Sequence, residues 1–144
     1  MEKILITGAS GFIGSFLVEH ALQEGMEVWA AVRKSSSRRY LQDPRIHFLT
    51  LDFSNLSVLT TQLETHRKEN GSFAHVIHAA GATKCRHPQQ FFSVNAEGTK
   101  FLAEALVLTG ALAADGRFVF ISSLSVMGPV AETDYHPISL QDHP

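Results

Sequence analysis

The segment that most constrains this chain is Thr-Gly-Ala-Ser-Gly-Phe-Ile-Gly at residues 7–14, because it lies between an apolar run and an amphipathic stretch. Residues 3–7 have the short apolar pattern of a buried strand, and the residues after the loop carry apolar side chains at helical spacing. Glycines spaced G-x-x-G-x-x-G at a strand-to-helix turn predict a phosphate-binding loop. Gly8 permits the tight turn, Gly11 lets the backbone approach a pyrophosphate, and Gly14 allows the helix to pack closely on the sheet.

The start of the predicted helix supports an anion site. Backbone N–H groups near Phe12 and Ile13 would point at phosphate oxygens, helped by the helix dipole. A mononucleotide P-loop does not fit, because Ser15 follows Gly14 without the lysine that such a loop carries. The alternative is a glycine-rich turn that binds no ligand.

The rest of the chain repeats the alternation of short apolar runs and longer amphipathic stretches. A helix capped by Ser54 or Asn55 is predicted to end at Asn70-Gly71, and a longer helix is predicted from Pro88. This order indicates an α/β fold, a Rossmann-type doubly wound parallel sheet. After the first strand, four more are predicted, at residues 27–32, 46–51, 73–79 and 117–122.

Two signals concern the later part of the sequence. Asp115-Gly116 is predicted to separate the long helix from the fifth strand. From Gly128 onward the periodicity stops, and three of the five prolines lie in the last 16 residues, which predicts a loop.

Composition limits the function classes. The chain has 144 residues, 44% of them hydrophobic, with 12 Lys and Arg against 14 Asp and Glu, so one soluble domain fits and no global field attracts nucleic acid or an anionic membrane. A lone Cys85 makes an intrachain disulfide impossible and favours a reducing cytoplasm. No stretch reads as a signal peptide or membrane span.

Five motifs in a fixed order resemble one known family. They are the glycine-rich loop at 7–14, Asp52-Phe53, His-Ala-Ala-Gly at 78–81, Asn-Ala-Glu-Gly-Thr at 95–99, and Ser-Ser-Leu-Ser-Val-Met-Gly at 122–128. This series resembles the extended short-chain dehydrogenases/reductases, the NAD(P)-dependent epimerase/dehydratase family. The resemblance implies a nicotinamide dinucleotide bound along the carboxyl ends of the strands and an oxidoreductase that transfers hydride between nicotinamide and a carbonyl or alcohol.

The resemblance also implies roles for individual residues. Asp52 would accept from the adenine amino group with the backbone of Phe53 beside it, although an Asp at a helix entry is the simpler alternative. Asn95 would reach inward from the long helix to the region of the cofactor's ribose, or would be a buried structural asparagine. The remaining cofactor contacts are expected from Thr7 and the loop after it, and from small residues that pass beneath the ribose, Ala79, Ala80 and Gly81.

The form of the cofactor is predicted from the connection after the second strand. Arg33 and Lys34 follow that strand, Arg38 and Arg39 lie further on, and no Asp or Glu occurs from residue 28 to residue 42. A guanidinium can hold a 2′-phosphate through paired hydrogen bonds, whereas a carboxylate would repel it. We therefore predict NADP(H), with NAD(H) as the second choice and a solvated basic loop as the alternative reading.

The resemblance places the catalytic hydroxyl at Ser123, which would hydrogen-bond the substrate oxygen. The proton-transferring Tyr-x-x-x-Lys of the family is absent, because neither Tyr40 nor Tyr135 has a lysine four residues later. We therefore expect residues 1–144 to form an incomplete NAD(P)-binding domain, an N-terminal part of a longer enzyme that is inactive alone. The apolar strand at residues 118–121 would then present an open edge and favour self-association or a homo-oligomer.

Several alternatives stay open. The substrate is an unidentified small molecule, and the Val-Arg ending of the second strand resembles the dihydroflavonol-reductase-like branch. An NAD-dependent nucleotide-sugar epimerase and a non-catalytic NADP(H)-binding regulator are the other candidates. The 4,6-dehydratases fit less well, because Leu124-Ser125 stands where they have an acidic pair. A metal site at His75 and His78 is not expected, since residues three apart on a strand face opposite sides.

Overall fold

The computed structural model describes residues 1–127; residues 128–144, which include Gly128 and Tyr135 of the predicted loop, lie outside the described part. Five parallel strands form one sheet in the order β3-β2-β1-β4-β5. They are β1 (Lys3–Thr7), β2 (Glu27–Ala31), β3 (His47–Leu49), β4 (Phe73–His78) and β5 (Leu112–Phe120). The strand that comes first in the sequence lies in the middle, where Ile4 is opposite both Val28 and His75. The predicted doubly wound α/β fold is therefore confirmed.

Helices cover both faces of the sheet. They are α1 (Phe12–Gln23), α2 (Leu56–Asn70), α3 (Pro88–Phe91), a π-helical segment (Phe92–Glu97), α4 (Gly98–Thr109) and a short 3₁₀ helix (Leu124–Met127). No helix of residues 1–127 has both the length and the apolar character needed to cross a membrane.

The buried side chains form two clusters, one on each face. Ile4 and Ile6 of β1 pack with Val18 of α1, whereas Leu5 packs with Leu63 of α2 and Leu102 of α4. This alternation follows from the pleat of the strand, which sends successive side chains to opposite faces. Because both faces are covered, the strands are apolar on both sides, as the sequence predicted.

The start of α2 resolves one open alternative. Asn55 is the N-cap, and its side-chain oxygen accepts from the backbone N–H of Val58 at 3.1 Å. Ser54 donates instead to Asp52, from its hydroxyl at 2.6 Å and from its backbone N–H at 2.9 Å. The helix ends at Gly71, whose φ of +83° suits glycine.

The fifth strand differs from the prediction. It spans Leu112–Phe120 rather than 117–122, because α4 ends at Thr109, the next residue Gly110 turns the chain with a φ of +62°, and Leu112 then pairs with Phe73. The Asp115-Gly116 pair does not separate helix from strand. It lies inside β5, where the register with β4 shifts before Arg117 pairs with His75.

The long helix predicted from Pro88 is also interrupted. Residues 88–109 run continuously, but Phe92–Glu97 forms wider π-helical turns between the two α-helical parts. Such segments are rare and occur often at functional sites. Asn95 lies in the middle of this one.

Candidate functional site

The glycine-rich loop makes a tight turn between β1 and α1. Gly8 has a φ of +66°, and a Cβ there would lie 2.6 Å from the carbonyl carbon of Ala79. A Cβ on Gly14 would overlap the carbonyl oxygen of Gly8 and lie 2.8 Å from the Cα of Ala9. Both positions therefore need glycine. A side chain on Gly8 would collide with the segment after β4, and a side chain on Gly14 would collide with the loop itself.

The N-terminus of α1 is open to an anion. The first helical hydrogen bond runs from Ser15 N–H to the Gly11 carbonyl at 2.9 Å, so Phe12, Ile13 and Gly14 have no partner within the helix for their N–H groups. In the described part of the chain, no side chain caps this end and no acidic residue lies in its first turn. Gly11, Phe12 and Ile13 are exposed, so the end is accessible. A pyrophosphate fits such a site in charge and in donor geometry.

The segment after β4 lies against this loop. The N–H of Ala79 donates to the Thr7 carbonyl at 3.3 Å, and the N–H of Ala80 donates to the Thr7 hydroxyl at 3.2 Å. Together with the contact between Gly8 and Ala79, these bonds hold Ala79, Ala80 and Gly81 beside the turn. We call the glycine-rich loop the first wall of the site and residues 79–82 the second wall.

A buried histidine lies behind the two walls. His78 is 2% exposed; its Nδ1 lies 2.7 Å from the Thr7 hydroxyl and its Nε2 lies 2.9 Å from the Thr99 hydroxyl. Burial lowers the pKa of His78 to about 4. The imidazole is therefore neutral at physiological pH.

Asn95 contacts the second wall rather than open space. Its side-chain oxygen accepts from the N–H of Ala82 at 2.7 Å, and its side-chain N–H₂ donates to the carbonyl of Ala82 at 3.0 Å. The structural role considered for Asn95 is thus visible in its contacts. The sequence reasoning missed Ala82 and Thr99, although the spacing of four between Asn95 and Thr99 places the two on one side of a helix.

Asp52 and Phe53 lie at the start of the connection from β3 to α2. The Asp52 carboxylate is exposed, and its hydrogen bonds from Ser54 lower its pKa, so it is ionised. One of its oxygens, Oδ1, accepts both bonds from Ser54. Phe53 is half-buried, 6.0 Å from the ring of His78, and it packs near Gly98.

The four basic residues after β2 fall into two pairs. Arg33 and Lys34 are exposed, and neither forms an ion pair with a carboxylate of residues 1–127. Arg38 lies over the ring of Phe48 at 4.1 Å, and Arg39 lies over its neighbour Tyr40 at 5.3 Å. The first pair is the better placed to meet a phosphate, because the second is engaged with aromatic rings.

Ser123 follows the carboxyl end of β5, on the same side of the sheet as the two walls. The N–H of Ile121 donates to the His78 carbonyl at 3.0 Å, which extends the pairing of β5 with β4 by one residue. The exposed Ser123 hydroxyl lies 3.0 Å from the Ser125 hydroxyl and accepts from the N–H of Ser125 at 3.2 Å. Ser123 therefore lies just before the short 3₁₀ helix and accepts from its first N–H groups.

Because the strands are parallel, these residues all lie at the carboxyl ends of the strands, on one side of the sheet. The glycine-rich loop follows β1, Arg33 follows β2, Asp52 follows β3, the second wall follows β4 and Ser123 follows β5. β1 and β4 are neighbours from which the chain continues in opposite directions across the sheet. In open α/β sheets, ligands bind in the crevice at this switch point.

Comparisons with known proteins agree with this geometry. The sequence model of the NAD dependent epimerase/dehydratase family matches residues 4–143. A ceramide reductase of Caulobacter vibrioides is 33% identical over 88% of this chain and 36% of its own length. A GDP-mannose 4,6-dehydratase of Yersinia enterocolitica is 33% identical over 92% of this chain and 38% of its own length.

Among solved structures, the UDP-glucose 4-epimerase of Thermus thermophilus in complex with NAD matches with a TM-score of 0.77 and 26% identity. The match covers 99% of this chain and 44% of that one, so the chain spans about two fifths of the length of these relatives. The match to the family extends over nearly every residue and includes the loop, the second wall and Ser123. This chain belongs to the NAD-dependent epimerase/dehydratase family.

Proposed function

We propose that this chain is the nicotinamide dinucleotide-binding part of an oxidoreductase that acts on a carbonyl or alcohol substrate. The observation that carries the proposal is the N-terminus of α1, which no side chain of residues 1–127 caps and which the glycine-rich loop leaves accessible beside the second wall. The free N–H groups of Phe12, Ile13 and Gly14 would hold the pyrophosphate, and the ionised Asp52 would accept from the adenine amino group.

The substrate side of the site is proposed from Ser123. When bound, the nicotinamide supplies or accepts the hydride. The Ser123 hydroxyl would donate to the substrate oxygen and so hold charge that develops there. Residues 1–144 contain no Tyr-x-x-x-Lys, so we propose that they bind the dinucleotide without turnover and that residues of a longer protein complete the acid–base pair.

The proposed cofactor differs from the one predicted from the sequence, which put NADP(H) before NAD(H). The Thermus relative carries NAD, which supports NAD(H) and does not support NADP(H) as the first choice. Arg33 and Lys34, which form no ion pair within residues 1–127, still favour a 2′-phosphate. We therefore propose NAD(H) as the cofactor and keep NADP(H) as the second candidate.

Calorimetric titration with NADH and NADPH tests both the dinucleotide site at the glycine-rich loop and the choice of cofactor. We expect saturable binding of NADH that Gly11→Ala weakens, because its methyl group would occupy the exposed turn that the pyrophosphate must approach. Gly25→Ala is the control for lost stability, since Gly25 is exposed and lies outside the site, and its φ of +74° makes alanine strained there. Equal binding by both variants would contradict the loop assignment.

Arg33→Asp and Arg38→Asp decide the cofactor form. If the 2′-phosphate is the preferred ligand, NADPH binds more tightly than NADH and Arg33→Asp removes the difference, while Arg38→Asp leaves it. If NAD(H) is the cofactor, NADH binds at least as tightly as NADPH in all three proteins. Failure of both dinucleotides to bind would reject the proposed function.

The parent protein is either an enzyme of one of several reaction types or a non-catalytic regulator. The varied activities of the relatives support a reductase, a dehydratase and an epimerase alike. A non-catalytic dinucleotide-binding regulator is favoured by the missing Tyr-x-x-x-Lys. The coding sequence after residue 144 discriminates these, because a Tyr-x-x-x-Lys there supports an enzyme.

Self-association is proposed for the outer edge of β5. β5 is the last strand of the described sheet, and Val119 and Phe120 are 45% and 48% exposed. An apolar strand with an unpaired edge is a template for another chain. The partner that fits it best is a second copy of the same strand.

A further inference from the structure

We infer that His78 is a positioning residue, which fixes the first wall of the site against the second wall and the 88–109 helix through a neutral imidazole protonated at Nε2. This inference rests on the proposed function only where it concerns dinucleotide binding. The hydrogen-bond arrangement is a property of the chain alone.

The neighbours of His78 determine where its proton lies. The Thr7 oxygen already accepts from the N–H of Ala80 at 3.2 Å, so its hydrogen is free to be donated to Nδ1 at 2.7 Å. The Thr99 hydroxyl donates to the Asn95 carbonyl at 2.7 Å, so its oxygen must accept the proton of Nε2 at 2.9 Å. The opposite tautomer would leave the Thr7 hydrogen without an acceptor among the described residues and would take the Thr99 hydrogen away from Asn95.

The same bonds connect three elements that are distant in sequence. Thr7 ends β1 and precedes Gly8, the residue that touches the second wall. On the other side, Thr99 is bonded to Asn95, whose side chain holds both backbone groups of Ala82. Hydrogen bonds through His78, Thr99 and Asn95 therefore link the glycine-rich loop to the far end of the second wall.

The surroundings of His78 keep this arrangement in one state. The groups of residues 1–127 that face the imidazole are uncharged: the hydroxyls of Thr7 and Thr99, and the rings of Phe53, Phe118 and Phe120 at 6.0, 6.3 and 5.9 Å. Burial is the one cause of its lowered pKa within the described residues. Because an imidazolium cannot accept at Nδ1, loss of the neutral form would release Thr7.

The first experiment needs no ligand. Nitrogen-15 NMR of the histidine side chains should show His78 with Nε2 protonated and Nδ1 unprotonated at pH 7. Hydrogen exchange of the backbone N–H groups of Ala80 and Gly11 should accelerate about tenfold in Thr99→Val and stay unchanged in Thr99→Ser, because serine retains the hydroxyl. A proton on Nδ1, or equal exchange in the two variants, would overturn the inference.

The second experiment separates the inference from the proposed function. We expect Thr99→Val to weaken NADH binding about tenfold while its far-ultraviolet circular dichroism stays native, and Thr99→Ser to bind as the unchanged chain does. If the unchanged chain binds no dinucleotide but shows the predicted tautomer and exchange, the proposed function fails and the positioning role of His78 stands. If NADH binds and Thr99→Val binds equally well, the positioning role fails.

Discussion

Gly14 is a residue at which one methyl group decides whether the loop can form. A Cβ there would overlap the backbone of Gly8, which cannot move without opening the turn. At Gly11 a Cβ would lie 3.2 Å from the same carbonyl oxygen, and the residue is exposed. The two glycines are three residues apart in one motif, yet the structure gives them different tolerances.

We expect Gly14→Ala to lower the free energy of unfolding by about 2 kcal/mol or more, because the overlap is with backbone. Urea denaturation measures this, with Gly11→Ala as the control that should change stability by less than about 1 kcal/mol. Equal unfolding midpoints for the two variants would mean that the close packing at Gly14 is wrong.

His66 is the second buried histidine and differs from His78 in its contacts. It is 3% exposed, its ring lies 4.4 Å from those of both Trp29 and Phe73, and its Nε2 has no hydrogen-bond partner among the described residues. Burial, together with the charge of Lys3, lowers its pKa to about 4. Between pH 6.5 and about pH 4, both buried histidines are therefore neutral in the folded chain, whereas in the unfolded chain they bind protons.

Stability should consequently fall as the pH decreases from 6.5 towards 4. In this range the unfolded chain takes up protons at His66 and His78 that the folded chain resists, so acid favours unfolding. Each histidine contributes a loss of up to about 3 kcal/mol across the range. Urea denaturation at several pH values measures this, and His66→Phe should remove about half of the loss. A slope unchanged by His66→Phe would contradict the assignment.

At the scale of elements, the boundaries of helices depend on a few local contacts. The cap at Asn55 satisfies one free N–H of α2, and this helix supplies Leu59 and Leu63 to the core. The position of the cap was predictable to within one residue, because both Ser54 and Asn55 can cap. The choice between them depends on Asp52, which binds Ser54.

Asn55→Ala should lower the stability of the chain by about 1 kcal/mol, because the N–H of Val58 loses its acceptor. Asn55→Asp should keep most of that stability, since a carboxylate also caps. Thermal unfolding of the three proteins compares them. Equal destabilisation by Ala and Asp would point to a role for the Asn55 side chain other than capping.

The outer edge of β5, which no strand of the described residues covers, gives a prediction about association. Val119→Lys should shift the chain towards the monomer at high concentration, because a charge on the edge opposes strand pairing. Val107→Lys is the control, since Val107 is 80% exposed but lies on α4. Sedimentation velocity measures both. If Val107→Lys abolishes association and Val119→Lys does not, the contact involves the helix.

At the scale of the whole molecule, the sequence predicted the sheet better than the site. Four strands were found from their apolar runs, whereas the start of β5 was missed because the chain resumes pairing directly after Gly110. The bonds of His78 were not predicted, since its partners lie 71 and 21 residues away. Periodicity reports which face a side chain occupies, but it does not report which distant side chain it meets.

Ligand binding gives the prediction that belongs to this scale. A dinucleotide that binds the folded chain and not the unfolded one stabilises it by about 2.7 kcal/mol at a hundred times its Kd. For a chain of this size, the Tm should rise by roughly 8 °C. Differential scanning fluorimetry with NADH measures the shift, and Gly11→Ala at the same NADH concentration should show a smaller one. An unchanged Tm at saturating NADH would contradict specific binding.

The central position of β1 affects how the chain is made. The ribosome produces β1 first, and β2 can pair with it once residue 31 has emerged. The other side of β1 waits for β4, which is complete only at His78. During synthesis of the residues between, an apolar strand edge is exposed on the nascent chain, as chaperones recognise in unfinished domains. Slow translation of that interval should therefore increase the need for chaperones, because β1 is the first of the five strands to be made but gains its second neighbour only after β2 and β3 have been synthesised.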